Sequence, residues 1–396
     1  MDFVTVINYV IITIVCATSL TWLYFIYVMR MFLTRASQLD KFEKKNNNCP
    51  KVSVIVPARN EEKFISKCLQ SLLDQDYNNL EVIAINDSSF DNTDTIIKKF
   101  SKINSKIIYV NAKNKPNGWI GKNWACVEGY KKSSGELILF TDADTTYHKT
   151  TISLSVSHLL SSHLDALTVI PKISCLDVWT KITLPILSIF LHTRFSSIKV
   201  NDPKQKTGYF FGSFFIIKKN IYESIGTHKN VKHEIVEDGA LGRIMKESGY
   251  KIKMVRGEKF IESIWSRDIT TLWNGLKRLI IPLNIQSKYY TFSIFIAMLF
   301  LLLMPNLFLI YSSMYLHASV EMIILFIISL LTLFLIHSAI LIELKTIELK
   351  SVYCICTYIG TLIILSSFLY VLLKKEKSLS WKKREYSKQD LMKSTI

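Results

Sequence analysis

Apolar and polar positions alternate in two different regimes along this chain. Long apolar runs with almost no charge extend from about Val4 to Leu33, Phe292 to Tyr311, Met322 to Ile342 and Val352 to Leu373. As helices, each is long enough to cross a hydrocarbon core of about 30 Å. From about Pro50 to Trp265, short β-branched runs alternate instead with amphipathic stretches. Val52–Pro57, Leu80–Ile85, Lys106–Val110, Glu136–Phe140 and Ala166–Ile170 read as strands, and Glu62–Leu73, Thr93–Phe100 and Lys122–Lys132 carry helical spacing between them. Repeated strand, helix, strand order predicts an α/β domain with a mostly parallel sheet and helices on both faces. Ligands of such sheets sit beyond the carboxyl ends of the strands, so the residues ending strands are the ones to examine.

The resulting division is a membrane anchor over 1–34, an α/β domain over 50–270, a basic interfacial segment over 271–290, about three membrane helices over 291–373 and a basic tail over 374–396. The first run lacks an Ala-x-Ala-like cleavage site and a basic leader, which predicts a retained anchor. Arg30, Arg35, Lys41, Lys44 and Lys45 follow it and only Asp2 precedes it, so the amino terminus is expected outside and the α/β domain in the cytoplasm. Three further crossings would leave the tail outside, although it carries Lys374, Lys375, Lys377, Lys382, Lys383 and Arg384. Either Pro305 breaks the Phe292–Tyr311 run or one of the last runs dips in and returns; four crossings are the working expectation.

Charge narrows the partners. A net charge of +17 in 396 residues suits either nucleic acid or an anionic lipid surface. The chain has no zinc-finger or aromatic RNA-binding signature, so the expected surface is a membrane and not a nucleic acid. The seven cysteines (Cys16, Cys49, Cys68, Cys126, Cys175, Cys354, Cys356) have no paired metal-ligand spacing and fit a reducing compartment.

The strand ends carry the candidate chemistry. Pro57-Ala58-Arg59-Asn60-Glu61 ends the first strand and Asn86-Asp87-Ser88-Ser89 the second, with Asp91-Asn92-Thr93 just after. Some of these side chains suit helix capping. Neighbouring parallel strands would also bring Arg59 and Asp87 to one edge, where a carboxylate can bind a nucleobase or ribose. The fourth strand ends in Phe140-Thr141-Asp142-Ala143-Asp144-Thr145, whose alternate carboxylates project to one side and suit a hard divalent cation bridging diphosphate oxygens. Glu237-Asp238 opens a helical stretch over Gly239–Gly249. It reads either as an acidic helix start favoured by the macrodipole or as a general base, Asp238, supported by Glu237. In Asn117-Gly118-Trp119-Ile120-Gly121-Lys122-Asn123-Trp124, the glycines permit close backbone approach and Lys122 can meet phosphate at a helix start, while both tryptophans suit packing.

Together, Val54–Glu61, Asn86–Thr93, Gly118–Ala125, Thr141–Thr145 and Glu237-Asp238 resemble the inverting family-2 glycosyltransferases of the GT-A fold, over roughly Lys51 to Arg278. The resemblance implies that Pro57, Ala58, Arg59, Asn60, Glu61, Asp87, Lys122 and Asp142 hold a UDP- or GDP-sugar. It implies that Asp142 and Asp144 bind Mg2+ or Mn2+, and that Asp238 is the base. The Gly-Trp-x-Gly-Lys-x-Trp block is similar to membrane enzymes of hopanoid and carotenoid glycosylation, which implies a lipid acceptor at the cytoplasmic face of the cell membrane. Transfer to a polyprenyl phosphate, a processive polysaccharide synthase and a non-catalytic nucleotide-sugar-binding scaffold are the alternatives. The Gln/Arg-x-x-Arg-Trp signature of polysaccharide synthases is not intact. Trp273, Lys277 and Arg278 are its nearest substitute on the acceptor or diphosphate side, and equally fit a basic helix at the headgroups. Leu176–Phe195 is apolar and punctuated by Lys181, Pro185, His192 and Arg194, as expected of a core helix or of a membrane-surface segment guiding a lipid acceptor.

Overall fold

The structure, a computed structural model, describes residues 3–41, 49–317, 319–374 and 378–391. Asp2, Lys44, Lys45, Lys375 and Lys377, which entered the charge reading, lie outside the described residues. The chain separates into two compact units.

The α/β unit comprises Ala36–Cys175, Ser197–Trp265 and Lys377–Ile396. Its strands are β1 (Val52–Ala58), β2 (Leu80–Asn86), β3 (Ile107–Asn111), β4 (Leu137–Phe140), β5 (Thr145–Tyr147), β6 (Ala166–Ile170), β7 (Lys172–Ser174), β8 (Phe215–Lys218), β9 (Ile252–Arg256), β10 (Ile261–Ile264), β11 (Ser378–Trp381) and β12 (Arg384–Ser387). Seven form the central sheet in the order β3-β2-β1-β4-β8-β6-β9. Only β8 runs antiparallel to its neighbours, β4 and β6. The expected mostly parallel sheet is therefore present, with β8 and β9 as additions to the five strands read from sequence. β1 and β2 are hydrophobic along nearly their whole length because helices cover both faces of a parallel sheet. The helix Ile65–Leu73 shows the matching pattern, burying Ile65, Cys68, Leu69 and Leu72 on one stripe. A small sheet, β5-β10-β7, adjoins the end of β4.

The second unit comprises Met1–Arg35, Leu176–Ser196 and Ser266–Glu376. Phe3–Arg35, Val320–Thr346 and Tyr353–Leu373 are long and apolar enough to cross a membrane. The Phe292–Tyr311 run is two helices, Lys288–Leu302 and Met304–Met314, bent by 47°. Pro305 lies in the first turn of the second helix, where a missing N–H is harmless but continuation of the preceding helix is not. The unit thus holds three spans, or four if the bent pair is one. Small and polar residues fasten its helices, as expected where lipid removes the hydrophobic drive. Ser19 and Thr332 share a buried hydroxyl hydrogen bond of 2.6 Å, and Gly360 lies so close to the Ile182 carbonyl that a Cβ there would stand 2.1 Å from its oxygen.

Leu176–Phe195 becomes the helix Val178–Arg194, started by Asp177 accepting from the Thr180 N–H at 3.0 Å. It belongs to this apolar unit and not to the core of the α/β unit. The helix Ile269–Gln286 carries Trp273, Lys277 and Arg278, and buries Leu272, Leu276, Ile280 and Ile281. Trp273 packs edge-on against Tyr370 with ring centroids 5.7 Å apart, and the Lys277 ammonium lies over the same ring.

Candidate active site

β1 and β2 end level, with Ala58 paired to Asn86. Both chains then turn through left-handed residues, Asn60 (φ 54°) and Ser88 (φ 55°), which are costly for side chains with a Cβ and must be held by their surroundings. Reciprocal hydrogen bonds hold them. The Arg59 guanidinium donates to the carbonyls of Asp87 (2.6 Å) and Ser88 (2.8 Å). The Asn60 N–H donates to Ser89 Oγ at 3.1 Å, and the Phe90 N–H returns to Asn60 Oδ1 at 2.9 Å. Glu61 N–H donates to Thr93 Oγ1 at 2.7 Å. Arg59, Glu61 and Asp87 are buried in this double loop although all three are charged, whereas Pro57 and Asn60 are half-buried and Ala58 is covered.

A second group forms where β4 ends. The Lys122 ammonium lies 2.6 Å from Asp142 Oδ1 and 2.7 Å from Glu237 Oε1, joining residues from three separate elements. Burial pulls the Lys122 ammonium down, but Asp142, Glu237 and Asp238 outweigh it and hold it well above its ordinary range. Gly212 reveals how tightly these groups converge. A Cβ placed there would stand 2.7 Å from Asp238 Oδ2, 3.3 Å from Asp142 Oδ2 and 3.3 Å from Lys122 Nζ, so three charged side chains face one point. The Asp238 carboxyl is pushed up to about 7, by burial first and by Glu237 next, against the opposing pull of Lys122. A carboxyl at that value exchanges its proton near neutrality, as a general base must.

Backbone contacts set this geometry. The helix Gly121–Tyr130, which carries Lys122, is tied to the segment before Glu237. The Ile120 N–H donates to the Lys232 carbonyl (2.8 Å), and Asn123 Nδ2 donates to the carbonyls of Val231 (2.7 Å) and Glu234 (2.9 Å). The helix Glu237–Glu247 in turn rests on the strand-like segment before β8. A Cβ on Gly208 would be 1.9 Å from the Gly242 carbonyl oxygen, and one on Gly242 would be 2.7 Å from the Tyr209 backbone. Asn123 lies in the motif read from sequence, although its tie to the carbonyls of Val231 and Glu234 was not read there; Gly208, Gly212 and Gly242 were given no role, and the signal for the first two was available in Gly208-Tyr209-Phe210-Phe211-Gly212-Ser213, a glycine-bounded aromatic run.

Asp142 and Asp144 lie in the turn between β4 and β5, beside the helix Ile65–Leu73; burial, then Asp144 and Asp142, push the Cys68 thiol far up. Among the described residues no three His, Cys, Asp or Glu side chains are arranged to hold a metal by themselves. The two carboxylates nonetheless form a hard-oxygen donor set of the sort Mg2+ uses with one or two protein carboxylates and substrate phosphates. The space that a Gly212 Cβ would fill lies beside Asp142. No disulfide is formed by the cysteines among the described residues.

The basic tail contributes a hairpin. β11 and β12 pair through a two-residue turn, Lys382-Lys383, both left-handed (φ 48° and 60°). Arg384 makes a bidentate pair with Asp87, at 2.7 Å and 3.0 Å. The Arg59 Nε donates to the Lys382 carbonyl at 3.0 Å, the Lys382 ammonium pairs with Glu61, and the Gly121 N–H donates to the Tyr386 hydroxyl at 3.1 Å. Of the candidate residues, the double loop, Lys122, Asp142, Glu237 and Asp238 belong to this one unit; Trp273, Lys277 and Arg278 belong to the other.

Residues 53–226 match the family model described as Glycosyl transferase family 2. Residues 53–226 thus carry a Glycosyl transferase family 2 domain. The chain is 34% identical over 152 residues to the probable glycosyltransferase YdaM of Bacillus subtilis (strain 168), covering 36% of each chain. It is 25% identical over 229 residues to the 4,4'-diaponeurosporenoate glycosyltransferase of Staphylococcus haemolyticus (strain JCSC1435), covering 56% of this chain and 59% of that one. It thus spans between about a third and three fifths of the length of these relatives. Its fold is that of the mannosyltransferase PcManGT from Pyrobaculum calidifontis, solved with GDP-Man and Mn2+, at a TM-score of 0.54, 17% identity and coverage of 92% of this chain and 100% of the other. The domain is a GT-A fold.

Proposed function

We propose that this protein transfers a sugar from a nucleoside-diphosphate donor to the hydroxyl of a membrane lipid, with inversion, at the cytoplasmic face of the cell membrane. The observation that carries the reading is the convergence of Asp142, Lys122 and Asp238 on one point, with Asp238 held near neutrality. The nucleoside would lie in the double loop of Arg59 and Asp87, and the diphosphate beyond β4. Asp142 and Asp144 would hold Mg2+ or Mn2+, which supplies neutralisation of charge on the departing diphosphate. Lys122 adds a fixed ammonium to the same task. Asp238 accepts the acceptor hydroxyl's proton as that oxygen attacks the anomeric carbon, and Glu237, paired to Lys122, keeps the neighbouring charge in register. The relative named for a carotenoid-type acid supports an isoprenoid or similar lipid acceptor. A base tuned near 7 favours a neutral hydroxyl over a polyprenyl phosphate, whose anionic oxygen needs no such help.

Membrane topology follows from the tail. The hairpin belongs to the same compact unit as β1–β10, which supports an even number of crossings between Ser266 and the hairpin. Val320–Thr346 and Tyr353–Leu373 would supply two crossings, with the bent pair entering and returning. With Phe3–Arg35 this reading has three crossings and keeps the basic tail inside, the side its charge favours.

The decisive test uses purified protein and a donor panel of UDP- and GDP-sugars with extracted lipids. Asp238→Asn is expected to abolish transfer while donor binding persists, and Asp144→Ala to weaken both. Undiminished transfer by Asp238→Asn would overturn the mechanism.

A further inference from the structure

The hairpin Ser378–Ser387 engages three residues of the double loop, Arg59, Glu61 and Asp87, and Gly121 at the start of the helix Gly121–Tyr130. It is a built feature and not a loose end. Leu379 and Tyr386 are buried at 1% and 4% exposure, and the Arg384 guanidinium presses on Gly121 where a Cβ would stand 1.8 Å from its nitrogen.

Two roles fit a segment in this place: a plug that occupies the donor's position, or a wall that completes it. Charge separates them. A plug standing in for a nucleoside diphosphate would present carboxylates to the cations that receive phosphate. This hairpin instead brings Lys382 to Glu61 and Arg384 to Asp87, on a rim that already holds Arg59 and, within reach of Arg384, Lys115. Those cations repel one another: Arg59 and Lys115 are both lowered, by burial first and by Arg384 next. An assembly that gathers like charges around a cleft is completed by an anionic ligand, not by the segment that brings more of the same charge. The bidentate fork also fixes both oxygens of Asp87, setting the rotamer with which that carboxylate meets a nucleoside.

We propose that the C-terminal hairpin is a wall of the donor subsite, in which Arg384 is a positioning residue for Asp87 and extends the cationic rim around a nucleoside diphosphate. This rests on the reading that the ends of β1 and β2 receive the donor nucleotide.

The test is titration of full-length protein in detergent with UDP and with GDP, in the presence of Mg2+ or Mn2+, by calorimetry, alongside thermal unfolding. For whichever nucleotide the wild type binds, Arg384→Ala is expected to weaken binding at least tenfold and to lower Tm, because the buried Asp87 carboxylate loses its partner; Arg384→Lys, which keeps the charge, should hold Tm near the wild type. Arg384→Lys should recover only part of that loss, because one ammonium cannot bridge both carboxylate oxygens. Tyr386→Phe, which removes the acceptor for the Gly121 N–H and the hydroxyl beside Arg384 but keeps the Arg384–Asp87 pair, should weaken binding by a smaller factor. Tighter binding by Arg384→Ala identifies a plug and overturns the proposal, as does unchanged affinity in both Arg384 variants. If Arg384→Ala fails to fold, Arg384→Lys carries the same test. Wild-type protein that binds neither nucleotide overturns the donor-site reading itself, and is thereby distinguished from failure of the hairpin alone.

Discussion

Asp238→Asn should stabilise the protein it inactivates, and by an amount that depends on pH. In the folded chain the Asp238 carboxyl is raised from 3.8 to about 7, chiefly by burial and by Glu237. The folded state therefore holds this proton more tightly than the unfolded chain does. Stability is fullest below the unfolded value, falls as pH rises between the two values, and stays at its lower level above the folded one. From the usual conversion of pH units to free energy, the loss is on the order of 1–2 kcal/mol by pH 5 and about 4 kcal/mol by pH 8. Asparagine does not titrate, so groups remote from Asp238 cancel when the two proteins are compared, and the difference, carried by Asp238 together with the charges it faces, should widen by about 3 kcal/mol from pH 5 to pH 8. For a domain of this size that is roughly 6 °C or more in Tm. Thermal unfolding of both proteins in the same detergent at the two pH values measures it. A Tm gap that is the same at pH 5 and pH 8, or that favours the wild type more at pH 8, would refute the claim that Asp238 is charged at a cost.

Transfer itself should show the same group as the acidic limb of the kcat/KM profile, rising with pH through about 7, while Asp238→Asn removes that limb and lowers activity by about 10²–10⁴-fold on the alkaline side, with a smaller deficit at low pH. Gly212→Ala inserts a methyl 2.7 Å from Asp238 Oδ2 and should lower kcat by at least about tenfold with little change in Tm; unchanged kcat would mean the three charged groups are not arranged as described. Lys122→Met should raise the donor KM and destabilise the fold, because it leaves Asp142 and Glu237 facing each other without their shared cation. In a cysteine-free background, Glu348→Cys should react with an impermeant maleimide on intact cells and His317→Cys should not; the reverse pattern would require the bent pair to cross.

What sequence made legible follows a physical line. β1, β2 and β4 are buried on both faces, so their Val-Ile-Leu runs are nearly uninterrupted and their ends are sharp. Residues at those ends, from Arg59 to Asp144, were therefore locatable without knowing any contact. β8 was harder, because Tyr209–Ile217 is apolar almost throughout and only Gly212-Ser213 marks where a turn ends and a strand begins. The glycines at 208, 212 and 242 do their work across space, each making room for a group distant in sequence, and no local pattern encodes that. The tail was the deepest case. Its lysines outweigh the alternation of Leu379 and Trp381 with polar neighbours, so it read as a charged end to the chain. Yet the charge already held the answer: a basic tail that would lie outside after four crossings contradicts the rule that sets the first helix. The contradiction resolves if the bent pair is not a crossing, and Arg384, in that same tail, is the residue found on Asp87. A tail on the far side of a bilayer from β1 and β2 could not form that pair, so the labelling of Glu348→Cys and His317→Cys tests the proposed topology and the proposed hairpin wall together.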